Sequence, residues 1–239
     1  MWKTRTGGAL AMTLALAACD TPIDPGSDDV IDADVAIVAG SSAIDAVSFI
    51  TSGQGMGSDA VPHSRNRTVT FLDADGNPQD RYDPLTTASI RTVHEIAAEV
   101  SRDGWSGSLH RTSDIAVSGL AGHETTRLWN GAGTESVERS AHSDERGSRE
   151  YDLNGSWSLN NVVTPVGDSP WPLSGNFTHD ITVTVTRGDQ THTRERHVTI
   201  TFNGTSTVPM IVNGETFELD LATRPGRVPV FRFRERDRR

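Results

Sequence analysis

Two segments begin like the HExxH zinc motif, His94-Glu95-Ile96-Ala97-Ala98 and His123-Glu124-Thr125-Thr126-Arg127. That chemistry needs two imidazoles on one helical face, and neither segment supplies the second histidine. His192 and His197 flank Thr193-Arg194-Glu195-Arg196. Strand alternation would send them to opposite faces, where they cannot share an ion without a bulge. Asp73-Ala74-Asp75-Gly76-Asn77 opens like a calcium loop, but that loop wants its glycine sixth and a glutamate twelfth. Gly76 stands fourth, so a plain turn is expected. The chain has no G-x-S-x-G elbow, no P-loop and no G-x-G-x-x-G run. Its single cysteine, Cys19, excludes an intrachain disulfide and a Cys-rich zinc site. The expectation is a protein without a catalytic constellation, a metal or a cofactor.

Four tryptophans, Trp105, Trp129, Trp157 and Trp171, fall beside turn residues and could stack on a glycan or sit at a membrane interface. In an aromatic-poor chain they serve equally as packing anchors, and that is the favoured reading. The chain carries 22 Lys and Arg against 32 Asp and Glu, a net charge of -10, which argues against a nucleic-acid partner. The charge is unevenly spread. Arg224, Arg227, Arg232, Arg234, Arg236, Arg238 and Arg239 face only Glu235 and Asp237, a local balance of +5. Such an end can touch anionic headgroups or a partner protein, pair with the acidic N-terminal segment, or simply stay solvated.

The N-terminus reads as an address. Met1-Trp2-Lys3-Thr4-Arg5 is followed by an apolar run from Gly7 to Ala18, too short for a bilayer span of roughly 20 residues. Leu16-Ala17-Ala18-Cys19 resembles the lipobox of bacterial lipoproteins. The resemblance implies cleavage between Ala18 and Cys19, a diacylglycerol thioether on the Cys19 thiol and acylation of the freed amine. It also implies export and anchoring in a bacterial cell envelope. Asp20 follows, a residue that some Gram-negative systems read as inner-membrane retention, so the choice of membrane stays open. Asp20, Asp24, Asp28, Asp29, Asp32 and Asp34, with Pro22, Pro25 and Gly26, suggest a solvated tether. The organisation expected is a signal peptide at 1–18, an acidic tether at 19–40 and one β-rich domain at 41–239.

These features need elements to hold them. Ala43, Ala46, Val47 and Ile50 share a helical face, and Ser42 with Asp45 has capping-box spacing, so a helix is expected at about 43–51. Residues 52–66 read as a loop. Thr68–Leu72 alternates as a strand, and 88–101 alternates over its whole length although it also fits a helix. A hairpin is expected from Phe177 to Phe202, turning at Gly188-Asp189, with His197 opposite Asp180. Its apolar face gives way to His192, Arg194 and Arg196, so its tip should project into water. Asn213-Gly214 should set Met210 opposite Phe217 and Val208 opposite Leu219, because that register alone puts every bulky side chain on one face. Val230-Phe231-Arg232-Phe233-Arg234 alternates as a last strand.

The fold class expected is mainly β: an antiparallel meander curled into an open or closed barrel-like sheet, with the short helix over its concave face. The function expected is a lipid-anchored, non-catalytic envelope component acting by contact. The alternative is a binding module that holds a lipid or glycan in the curve of the sheet. An apolar cavity would favour the alternative, and a filled interior the first reading.

Overall fold

Period-two alternation makes strands, and tight turns between successive strands make them pair antiparallel. The computed structural model, which describes residues 28–52, 62–102, 105–122, 124–143, 147–167, 171–222 and 232–233, follows that rule. Its elements are α1 (Asp28–Ser52), β1 (Pro62–Leu72), β2 (Pro78–Gln79), β3 (Ser89–Arg102), β4 (Trp105–Ser118), β5 (Thr126–Ser143), β6 (Gly147–Pro165), β7 (Ser174–Arg187), β8 (Gln190–Thr201), β9 (Thr207–Val212), β10 (Glu215–Asp220) and β11 (Arg232–Phe233). The strands form one sheet in the order β11-β10-β9-β8-β7-β6-β5-β4-β3-β1-β2. It is an open meander, with β2 and β11 as its edges.

The expected registers are present. Met210 pairs with Phe217 and Val208 with Leu219. The turn places Asn213 and Gly214 at φ 49° and 94°, the two positive values a type I′ turn requires. Arg187 pairs with Gln190 around Gly188-Asp189, and Asp180 with His197. Residues 89–102 are a strand, with Thr92, His94, Ile96 and Ala98 buried and Arg91, Val93, Glu95 and Glu99 exposed. Asp73 accepts from the Asp75 and Asn77 amides at 3.0 and 2.8 Å, so this carboxylate closes a turn. Of the last expected strand, Arg232 and Phe233 pair with Glu218 and Phe217. Val230, Phe231 and Arg234 lie outside the described residues.

The helix departs most from expectation. It spans Asp28–Ser52, not 43–51, and the expected boundary at residue 40 falls inside it. Residues 28–40 are therefore helix rather than tether. Acidic residues suit the first turns of a helix, where they complement the macrodipole, and composition alone does not separate that role from solvation. Ser42 and Asp45 consequently lie mid-helix and cap nothing. At the other side of the expected 52–66 loop, β1 already begins at Pro62, while 53–61 lie outside the described residues.

Between Val35 and Ile50 every helical residue is buried except Ile37, Ser41, Asp45 and Ser48, which are partly buried and fall on one narrow stripe. A helix whose polar residues are confined to so narrow a stripe must be enclosed on most sides. The sheet does this by curling, with α1 running closest to β7, β8 and β9 and its side chains reaching β3, β4 and β5. Ala36, Ala39, Ala43 and Ala46 are all buried and keep the helix slim. One shared core results, from Val35 on the helix to Leu221 beyond β10.

Two local devices fit the sheet to this cargo. Around Asn160 and Asn161, β6 carries an extra residue relative to both neighbours, and Asn161 has φ 50°. This bulge lets Leu159 and Val162 both face inward, although they differ in parity. The second device is a pair of inward glycines. The Trp157 ring lies over Gly133, and the His179 ring over Gly155. A Cβ at Gly133 would stand 2.1 Å from the Thr112 carbonyl oxygen and 2.6 Å from the Trp157 ring. Gly133→Ala should therefore destabilise the fold by about 2–4 kcal/mol through overpacking. Urea unfolding checks this, with Gly76→Ala in the open β1–β2 turn expected to cost about 1 kcal/mol through its positive φ alone; comparable losses for the two would contradict the packing argument.

Candidate functional site

The apolar parity of β4 is interrupted by two polar residues. Arg111 and Ser113 share the inward face with Ile115 and Val117, and all four are buried. A guanidinium there must find anions, because a lone buried charge is far more costly than a paired one. Arg111 Nη1 donates to Asp45 Oδ2 at 2.8 Å, and Nη2 and Nε donate to Glu135 Oε2 at 2.9 and 3.2 Å. Nη2 also reaches Ser42 Oγ at 2.9 Å. That hydroxyl stands in donating reach of the Val38 carbonyl, 3.0 Å away, and of Glu135. The cluster joins the helix, through Ser42 and Asp45, to β4 and β5.

Its electrostatics are divided. Burial opposes the Arg111 charge, yet Glu135 and Asp45 outweigh that and hold the guanidinium pKa above its ordinary value. Burial also pushes the Asp45 carboxyl up, against the pull of Arg111, and the Glu135 charge adds to the rise. Two carboxylates thus share one cation. A second buried pair lies further along the helix, where Arg196 Nε donates to Asp32 Oδ1. Strand alternation alone puts Arg196 towards a solvated hairpin tip. The tip is exposed from Gln190 to Glu195, but at Arg196 the helix supplies a carboxylate and the side chain is covered.

Beside Arg111, Ser113 Oγ lies 2.6 Å from His94 Nδ1. A serine on a histidine nitrogen is the first half of a nucleophilic pair. Here both partners are buried, and the imidazole is stacked on Phe49 with ring centroids 5.5 Å apart. The cavity bounded by His94, Ser113, Arg111, Asp45 and Trp157 measures about 10 Å³, the size of one water and no substrate. His179 is fully buried on β7, and among the described residues neither ring nitrogen has a hydrogen-bond partner. Burial pushes its pKa down to about 4; Glu135 and Asp180 oppose the shift and Arg111 adds to it. The arrangement can hold a helix in place, but it offers no approach to a reacting molecule.

The other sequence candidates are dispersed. Glu95 faces outward and meets His110 Nε2 at 2.8 Å, on the opposite side of the sheet from His94. His192 is exposed on the inward parity, whereas His197 pairs with Asp180 at 2.6 Å on the outer face. His123 lies outside the described residues. Among those residues no group of three or more His, Cys, Asp or Glu could hold a metal ion. Trp129 and Trp157, two of the candidate ligand contacts, are buried in the core. Trp129 Nε1 donates to Thr164 Oγ1 at 2.8 Å, and Trp157 stacks on Phe177. Trp171 is half-buried against the same core. Trp105 opens β4, and its side chain lies outside the described residues. Cys19, Ala18, Arg234, Arg236, Arg238 and Arg239 also lie outside them. Arg232 is placed opposite Glu218.

Outward-facing residues of β3 to β7 line a wide groove of about 860 Å³, including Glu99, Ser108, Glu138, Asp152 and Thr184. Hydroxyls and carboxylates make up most of its walls, with Glu138 directly opposite Asp152, and Arg139 and Tyr151 border it as well. The sequence concealed the Arg111 cluster only in part, since a charged residue on the same parity as Ile115 and Val117 marks a buried charge. Its partners are 24 and 66 residues away, and no local pattern points to them. No protein-family model, curated protein or solved structure matches the chain.

Two expectations follow from this geometry. Arg111→Met leaves Asp45 and Glu135 buried without their cation and should cost about 3–5 kcal/mol. Arg91→Met breaks an exposed pair with Asp114 and should cost no more than about 1 kcal/mol. Equal effects in chemical denaturation would count against the cluster as a lock. For His179, the folded pKa lies below the unfolded value of 6.5. The unfolded chain therefore takes up a proton that the fold refuses, so the contribution is complete above pH 6.5 and fades as pH falls towards 4. About 3 kcal/mol should be lost over that window. His179→Leu should flatten the loss relative to the parent, and unchanged acid sensitivity would refute the assignment.

Proposed function

We propose that this chain is a lipid-anchored component of a bacterial cell envelope that works by contact rather than by catalysis. The address at its start supports the anchoring, with Cys19 as the acylated residue. Each buried methylene contributes roughly 0.8 kcal/mol, and stable attachment needs two membrane signals, which two or three chains on Cys19 supply. The observation that carries the non-catalytic reading is the occupied interior. The concave face of the sheet, where a lipid or glycan would lie in the alternative reading, is filled by α1 and locked by the Arg111 cluster. The surfaces left for partners are then the outer face of the sheet and its edges, together with the Arg-rich end that begins at Arg224.

The partners in this reading are the membrane, through the anchor, and an envelope protein or surface. Cys19→Ala should abolish processing and move the protein from the membrane to the soluble fraction of its host. Unchanged fractionation and unchanged mass of the mature N-terminus would sink the proposal. Native mass spectrometry of the mature protein tests both halves together, because acyl mass on Cys19 and any retained interior ligand appear in one measurement.

A further inference from the structure

The seal between helix and sheet is incomplete at one place. Val35 and Val38 of α1 stand over Val137, Leu153 and Val183 on β5, β6 and β7, and between them lies an apolar slot of about 90 Å³. Val137 is directly opposite Leu153, and Leu153 opposite Val183, so the floor is one row across three strands. The next row outward holds Arg139 opposite Tyr151, and both border the slot. Arg139 is exposed and makes no ion pair among the described residues.

We propose that this slot, with Arg139 at its rim, binds a medium-chain fatty carboxylate. The slot takes the aliphatic end and the guanidinium takes the head. Size sets the class. A 150 Å³ apolar cavity holds benzene, so 90 Å³ holds the last four or so carbons of a chain. It is far below the roughly 300–1,000 Å³ of a site that swallows a whole ligand. Arg139 stands two strand residues beyond Val137, about 7 Å, so a chain of about eight carbons reaches from slot to head. The planar guanidinium fork matches a carboxylate in two parallel hydrogen bonds. The slot also lies towards the N-terminal end of α1, whose first residue is nine residues from Cys19 in sequence, a reach of at most about 30 Å. In the anchored protein its mouth is then close to the membrane surface, where such amphiphiles concentrate. The binding itself does not depend on the anchor.

The probe is octanoate, titrated by calorimetry into the full chain carrying Cys19→Ser, so that no anchor lipid competes. Saturable one-to-one binding is expected, with octan-1-ol binding more weakly. Arg139→Gln, an exposed change that leaves the core untouched, should weaken octanoate about tenfold and leave octan-1-ol unchanged. Val38→Phe fills the slot and should abolish binding of both probes, with far-ultraviolet circular dichroism confirming the fold. Absence of saturable octanoate binding by the parent chain overturns the proposal. An unchanged octanoate affinity in Arg139→Gln overturns it as well. Because every arm lacks the anchoring cysteine, these outcomes are separate from those that decide membrane attachment.

Discussion

A helix that is apolar on nearly every side cannot be left against a flat surface, since half of it would then face water. Enclosure is the constraint from which the rest of this structure follows. Strands of 14 to 19 residues from β3 to β7 are long enough to run past the helix and bend around it. The bulge in β6 adds local bend and turns Val162 inward. The inward glycines at 133 and 155 let Trp157 and His179 lie flat, so the sheet closes on the helix without colliding with its own side chains. The alanines of α1 meet the same need from the inside.

Enclosure brings a difficulty of its own. Uniform apolar packing specifies neither the rotation of a helix in its sleeve nor its depth. Two buried ion pairs supply what hydrophobicity cannot. Asp32 meets Arg196 and Asp45 meets Arg111, on different sides of the helix and about 20 Å apart along its axis. A slide or a turn by one residue would leave two charges buried without partners. Such pairs add little net stability compared with apolar replacements, and their value lies in selecting one arrangement among many. His179 and the Trp157 indole nitrogen, which find no partner among the described residues, show that polar satisfaction was not maximised throughout this core.

How far the sequence discloses this depends on the range of each interaction. Period two and the Gly188-Asp189 and Asn213-Gly214 turns are local, and they are legible down to the register. The strand at 89–102 is legible for the same reason, since His94 keeps the parity of Ile96 and Ala98. The first half of α1 is hidden because Asp28, Asp29, Asp32 and Asp34 look alike in a solvated tether and in the opening turns of a helix. What separates the cases is Arg196, which is 164 residues away. Ser42 and Asp45 mislead similarly, because capping spacing is local and their actual partner on β4 is not. The bulge at Asn160-Asn161 breaks alternation in mid-strand, and its local mark is the asparagine pair, of which Asn161 takes a positive φ. The basic end from Arg224 is legible as composition, and its charge reveals no target.

The order of elements along the chain carries a kinetic consequence. The helix comes first, and the strands that cover it arrive afterwards, with β9 starting about 155 residues beyond the end of α1. Neighbouring strands can zip by local hairpins in microseconds, whereas docking of α1 must wait for distant parts of the chain to meet. Until then the chain carries an uncovered apolar helix beside a growing sheet with an open edge. Both are surfaces through which partly folded chains associate. Loss of β8 or β9 near the C-terminus would therefore be felt first at the N-terminus, as a helix with nowhere to go.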